Sequence, residues 1–193
     1  LKKKNNQLKL TNIIVPKNKD FFLKEAIKYI EKIIQKATMN RVNKANIVLN
    51  NAIDAINPIE SSKYFKNPKI IIVTRDPRDM FSSMKIGNAG AAPNYDVNIF
   101  IDWFKHFFSS NNFKSLLKNK KILHINFENF VNEFDKENKK ICKFIGLKEK
   151  FTLRKNCIFN LQKSKQNVGK SKKFLNKSEL ILIEKKLSSY LKW

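Results

Sequence analysis

An α/β fold with a mainly parallel central sheet flanked by helices is predicted by three features of the sequence. Lys69 to Thr74 carries four β-branched residues in succession, Ile70, Ile71, Ile72 and Val73, without polar alternation, the pattern of a strand buried on both faces. Strand and helix patterns then alternate along the chain, as a parallel sheet with crossover helices requires. Finally, 42% of the 193 residues are hydrophobic and 16 are Phe, which is enough to build a core. At roughly 100–200 residues per domain, residues 1–193 read as a single domain without repeats or internal linker.

Residues 20 to 37 repeat apolar positions (Phe22, Leu23, Ala26, Ile27, Ile30, Ile33, Ile34) at steps of three and four, which predicts an amphipathic helix with Asp20 as N-cap. Asn46 to Asn50 is a short apolar run between polar residues and predicts a buried strand. The strand at 69–74 turns at once into a helix, with Asp76 to cap, Pro77 at the first helical position, and Met80, Phe81 and Met84 at helical spacing as far as Gly87. Gly87 to Asn94 reads as a loop. Val97 to Leu117 is a long aromatic helical pattern, broken near residues 109–112. Lys121 to Phe127 predicts a second strand, and Glu128 opens one helix that runs to Ile145 and stops at Gly146. Residues 150–170 lack a period and read as an ordered loop, followed by a terminal helix from a Ser178 cap to Leu191.

Forty Lys and Arg against 16 Asp and Glu give a net charge of +24, a field that favours polyanions without choosing among them. Arginine is scarce, at Arg41, Arg75, Arg78 and Arg154, so most of the charge reads as a solvated lysine surface. No apolar run approaches the ~18 residues of a membrane span, which makes a cytoplasmic location the default. Cys142 and Cys157 with only His106 and His124 suggest neither a disulfide framework nor a metal site.

Chemistry is concentrated in Thr74-Arg75-Asp76-Pro77-Arg78-Asp79-Met80-Phe81-Ser82-Ser83. A strand ends in an arginine and becomes a helix, whose first amides and dipole favour an anion. Arg75 then stands where a phosphate belongs, and Ser83, eight positions on, offers a neutral donor. The structural alternative is an Arg–Asp pair closing the turn, Arg75 or Arg78 with Asp76 or Asp79. Physics alone leaves both open.

The stretch Lys69 to Asp79 followed by Ser83 resembles the strand-loop-helix that binds the 3′-phosphate in sulfotransferases using 3′-phosphoadenosine 5′-phosphosulfate (PAPS). Three further segments resemble the same superfamily in the same order: Ile122 to Phe130, Phe144-Ile145-Gly146-Leu147, and Ser164 to Lys170 ahead of the last helix. Asn50 to Pro58 is similar to the approach to the motif strand in bacterial members. The resemblance spans about residues 45–191 and implies a P-loop-like fold, Arg75 and Ser83 on the 3′-phosphate, and Gly169 and Lys170 closing over the same nucleotide. It implies transfer of a sulfuryl group from PAPS to a hydroxyl or amine of a glycan, such as a bacterial surface glycan, or of a small molecule, with no metal. Where the family commonly has Trp after Gly-Lys, this chain has Ser171. No glycine precedes Gly87, so residues 1–44 are expected to lack the glycine loop that wraps the 5′-phosphosulfate, and the domain is expected to be N-terminally incomplete and inactive as a fragment. No catalytic base is nominated. His106 and His124 read as structural, Glu128 as more structural than catalytic, and Asp102, Trp103 and the 87–94 loop as a possible acceptor wall. The competing reading is a non-enzymatic basic protein that binds nucleic acid through its charge.

Overall fold

The computed structural model describes residues 18–38, 47–54, 56–87, 93, 95–109, 113–147 and 159–191. The chain divides into two compact units, Leu1–Ala52 with Ile59–Asn67, and Ile53–Pro58 with Pro68–Trp193.

In the first unit, α1 (Lys19–Ala37) follows the predicted 3.6-residue pattern. Its N-cap is Asn18 rather than Asp20: the Asn18 carboxamide oxygen accepts from the amides of Asp20 (2.8 Å) and Phe21 (3.3 Å), so Asp20 falls within the first turn, where its charge suits the helix dipole. Of the strand expected at 46–50, residue 46 lies outside the described residues and the other four form no strand. Residues 47–49 have no regular structure and Val48 is 88% exposed, so an apolar triplet without a pairing partner did not suffice. Helix α2 (Pro58–Ser62) follows.

The second unit is built on two parallel strands, β1 (Ile70–Thr74) and β2 (Ile122–Asn126), in register from Ile70 opposite Ile122 to Thr74 opposite Asn126. Between them run α3 (Pro77–Gly87), α4 (Val97–Ser109) and α5 (Phe113–Leu116), with α4 and α5 separated where the pattern predicted a break. The two-sided burial expected of β1 is not observed. Ile70 and Thr74 are buried, but Ile71 and Val73 on the opposite face are 40% and 57% exposed. On β2, opposite Val73, Ile125 is buried, and α6 and α7 both lie against that strand. A run of β-branched residues specifies a strand, but not what covers it.

The continuous helix expected from Glu128 is two helices, α6 (Phe127–Asn132) and α7 (Phe134–Ile145), broken at Glu133, which leaves helical geometry at φ −117°, ψ 45°. Asn126 caps α6 through its carboxamide oxygen, and Gly146 ends α7 at φ +80°, a left-handed conformation that glycine adopts without strain. The 150–170 segment is not loop throughout: Asn160 caps a short α8 (Leu161–Lys165), and α9 (Ser171–Phe174) follows. The terminal helix α10 is Lys177–Lys186, capped by Asn176 in a reciprocal box with Glu179, not by Ser178, and passes into a 3-10 turn at Ser188–Tyr190.

The core joins α3, α4 and α10 through Phe81, Phe100, Ile101, Phe104, Leu175, Ile183 and Leu187. Phe81 and Phe100 pack with ring centroids 4.9 Å apart, and Phe104 meets Tyr190 edge-on at 5.3 Å. Each fully buried Phe contributes about 1.5–3 kcal/mol of transfer free energy. The result is a firm seat for α3, whose first turn carries the charged residues. Cys142 is a buried free thiol, and Cys157 lies outside the described residues.

Candidate anion site

At the end of β1 and the start of α3 the two arginines of the turn differ in their partners. Arg78 takes the structural role: its guanidinium pairs with Asp76 at 2.6 Å and Glu184 at 2.7 Å, and the Asp76 bonds in particular hold it more firmly protonated than an ordinary arginine. Arg75 does not pair with a carboxylate. Its Nη1 donates to Ser83 Oγ at 2.8 Å and its Nη2 to the Asn167 carbonyl at 2.7 Å, both neutral acceptors. Its Nε–H is buried with no partner, and the guanidinium carbon lies 5.0 Å from the centre of the Phe127 ring. Burial lowers the Arg75 pKa, opposed by the charges of Asp79, Glu128 and Asp76.

Two amides at the start of α3 meet internal carboxylates. Asp76 accepts the Arg78 N–H at 2.8 Å, and the Asp76 N–H itself donates to Glu128 Oε1 at 3.0 Å. The Met80 N–H closes the first turn on the Asp76 carbonyl at 2.9 Å. Glu128, read from sequence as more structural than catalytic, is the group that joins α6 to this turn.

Ser83 Oγ accepts from Arg75 and donates to the Asp79 carbonyl at 2.7 Å. It fixes the guanidinium, and it becomes a donor to a ligand only by releasing that carbonyl. Residues 167–171 arrive from the far end of the chain. Gly169, at φ +72°, donates its N–H to Asp79 Oδ2 at 2.5 Å, and Ser171 donates its N–H to Asp79 Oδ1 at 2.8 Å. Between them Lys170 donates to Asn167 Oδ1 at 3.1 Å. Desolvation first, then repulsion from Arg75, lowers the Lys170 pKa, with Asp79 opposing. Among the described residues no carboxylate forms an ion pair with Arg75 or Lys170, although seven such pairs form elsewhere.

All four residues singled out from sequence, Arg75, Ser83, Gly169 and Lys170, are thus brought together in one unit. The Asn167 carbonyl and the Phe127 ring were not singled out, and Asp79 was named only as an ion-pair partner for an arginine. For Asp79 a signal existed, since it lies midway between Arg75 and Ser83 at steps of four, which puts it and Ser83 on one side of α3. The other candidates lie apart from this cluster. His124 bonds Thr74 through Nε2 at 2.7 Å and meets Phe113 edge-on, and burial lowers its pKa. His106 is exposed beside Phe107, and Trp103 packs on the core while Asp102 faces solvent. Most of the 87–94 loop lies outside the described residues.

A parallel-stranded α/β unit with Arg75 just past the end of a strand and Lys170 near it, neither in an ion pair among the described residues, is the class that this geometry defines. The model of the sulfotransferase family matches residues 15–151, 137 of the 193, and the chain belongs to that family, whose fold is P-loop-like. No curated protein and no solved structure matches the chain. No group of His, Cys, Asp and Glu able to hold a metal occurs among the described residues, and no helix among them is long and apolar enough to cross a membrane.

Proposed function

We propose that this chain is a single sulfotransferase domain that binds PAPS by its 3′-phosphate at Arg75 and Lys170 and serves sulfuryl transfer to a hydroxyl or amine of a glycan or small molecule. The observation that carries this reading is the pair of neighbouring cations, Arg75 with an unpartnered buried Nε–H and Lys170 with its pKa depressed, neither joined to a carboxylate. Two like charges held together in partial burial repel each other, and a dianionic phosphate placed between them relieves that repulsion. The residues present therefore fit a phosphate group.

When bound, PAPS supplies the sulfuryl group: the acceptor heteroatom bonds to sulfur, the bond from sulfur to the bridging phosphate oxygen breaks, the acceptor gives up its proton, and adenosine 3′,5′-bisphosphate leaves. The role of Arg75 is to anchor the nucleotide end remote from that chemistry, so that positioning is its contribution to rate. Phe127 and Ser83 hold the guanidinium plane from two sides, and Gly169 carries the turn that brings Lys170 over.

A thermal-shift titration with adenosine 3′,5′-bisphosphate tests the reading, because a ligand of the folded state raises stability by about 2.7 kcal/mol at a hundred times its Kd. The expected result is a rise in Tm that Arg75→Ala abolishes. A folded chain that shows no rise, or a rise that survives Arg75→Ala, overturns it. The net charge of +24 supports a second reading, nucleic-acid binding. That predicts steeply salt-dependent binding to any DNA or RNA, indifferent to Arg75→Ala.

A further inference from the structure

Asp79 is 2% exposed, sits in the first turn of α3 and forms no ion pair among the described residues. A buried carboxylate is costly unless hydrogen bonds replace its water, and here both oxygens are satisfied by backbone amides, those of Gly169 and Ser171. The two amides flank Lys170 and point at one anion, the geometry of a backbone nest that in other settings receives a phosphate. In this chain the nest is filled from within. The turn is thereby closed to a ligand, and the side chain between its two donors, Lys170, is left to reach Asn167.

The same turn is tied at a second point. The Asn167 carbonyl accepts from Arg75 and its carboxamide oxygen from Lys170, so the two cations share one residue as a spacer. Ser171 is buried and begins α9, which packs on α3, so a turn released from Asp79 loses its register on the helix that carries Arg75.

We propose that Asp79 is a positioning residue: its carboxylate clasps the Gly169-Lys170-Ser171 turn onto α3 and so seats Lys170 beside Arg75, which makes preference for a 3′-phosphorylated nucleotide depend on a residue that does not touch the nucleotide. The clasp itself is independent of the ligand. The statement about nucleotide preference rests on the function proposed above.

The full chain without nucleotide gives the first test. In the wild type the Gly169 and Ser171 amides exchange hydrogen slowly; in Asp79→Asn they exchange at least about tenfold faster, the loss of one charged hydrogen bond, while amides of Phe100 and Phe104 in the core keep their protection. Titration of Lys170 Nζ separates a released turn from mere loss of charge. Release carries Lys170 away from Arg75 and raises its pKa toward the ordinary lysine value, whereas deleting the Asp79 charge with the turn in place lowers it further.

The second test is the ratio of affinities for adenosine 3′,5′-bisphosphate and adenosine 5′-monophosphate, which falls about tenfold in Asp79→Asn and falls no further when Asp79→Asn is added to Lys170→Ala. Unchanged amide exchange, a downward Lys170 pKa, or an unchanged affinity ratio overturns the proposal. If Asp79→Asn does not fold, fast exchange at Gly169 and Ser171 in the wild type overturns it, and slow exchange there supports it. A wild-type chain that binds no bisphosphate defeats the sulfotransferase reading, while exchange and titration still decide the clasp.

Discussion

Arg75 Nη1 and Ser83 Oγ lie 2.8 Å apart, and the same serine hydroxyl donates a hydrogen bond to the Asp79 carbonyl at 2.7 Å. The spacing of eight residues is therefore a length: one residue at the strand end and two helical turns bring the hydroxyl level with the guanidinium. The serine holds the fork of Arg75 in a fixed plane before any ligand arrives.

Arg75→Lys keeps the charge but loses the fork and its contact with the Phe127 ring. It is expected to weaken binding of adenosine 3′,5′-bisphosphate by about 1.5–3 kcal/mol, roughly ten- to a hundredfold, with the fold intact. Isothermal titration of the two proteins checks this, and equal affinities would show that a point charge is enough.

The Arg78 network predicts unequal effects at its two carboxylates. Asp76 accepts both the Arg78 amide and its guanidinium, so Asp76→Ala removes a helix cap together with an ion pair and costs about 1–2 kcal/mol in urea unfolding. Glu184 is half exposed, and Glu184→Gln costs less than about 1 kcal/mol.

Burial lowers the pKa of His124 from its ordinary value of 6.5, which sets the direction of a pH effect. Between the folded value and 6.5 the unfolded chain binds the proton more readily, so this residue's contribution is complete above pH 6.5 and declines as pH falls through that interval. His124→Gln, which retains a polar partner for Thr74, is expected to flatten the dependence there. Denaturant titrations at a series of pH values measure it, and an unchanged slope in the variant would place the effect elsewhere.

At Gly146 a side chain meets no steric obstacle, the nearest atom to an added Cβ being the flexible end of Lys69 at 3.8 Å. The backbone alone then decides. Gly146→Ala at φ +80° is expected to cost about 1–2 kcal/mol in unfolding, with no change in nucleotide affinity.

Sequence made the strand-turn-helix around Arg75 legible because its signals are local: β-branched residues, then a capping Asp, then Pro at the first helical turn. Gly146 was legible for the same reason. The cap assignments failed where Asn competes with a nearby Asp or Ser, as at Asn18 beside Asp20 and Asn176 beside Ser178, since all of these side chains can cap and only the backbone conformation selects one. The exposure of Ile71 and Val73 was hidden because burial belongs to the elements packed against a strand, not to the strand. Asp79 was hidden for a stronger reason. Its partners are ninety and ninety-two residues away, so its spacing of four from Arg75 and from Ser83 marks its side of the helix but not the turn that it holds.

That separation also sets the order in which the molecule is made. At about 5–20 residues per second, the ribosome adds the ninety residues between Asp79 and Gly169 over roughly 5–20 s, during which the strand and helix bearing Arg75 exist without the turn that completes them. Closing a loop of this length costs on the order of 4 kcal/mol of chain entropy, which the clasp and the aromatic core must offset together. Assembly of the Arg75–Asp79–Lys170 cluster thus comes late in folding. A chain that ends before Asn167 retains every residue of the arginine motif and none of the turn that Asp79 holds, so the two halves of the cluster meet only once residue 171 has been made.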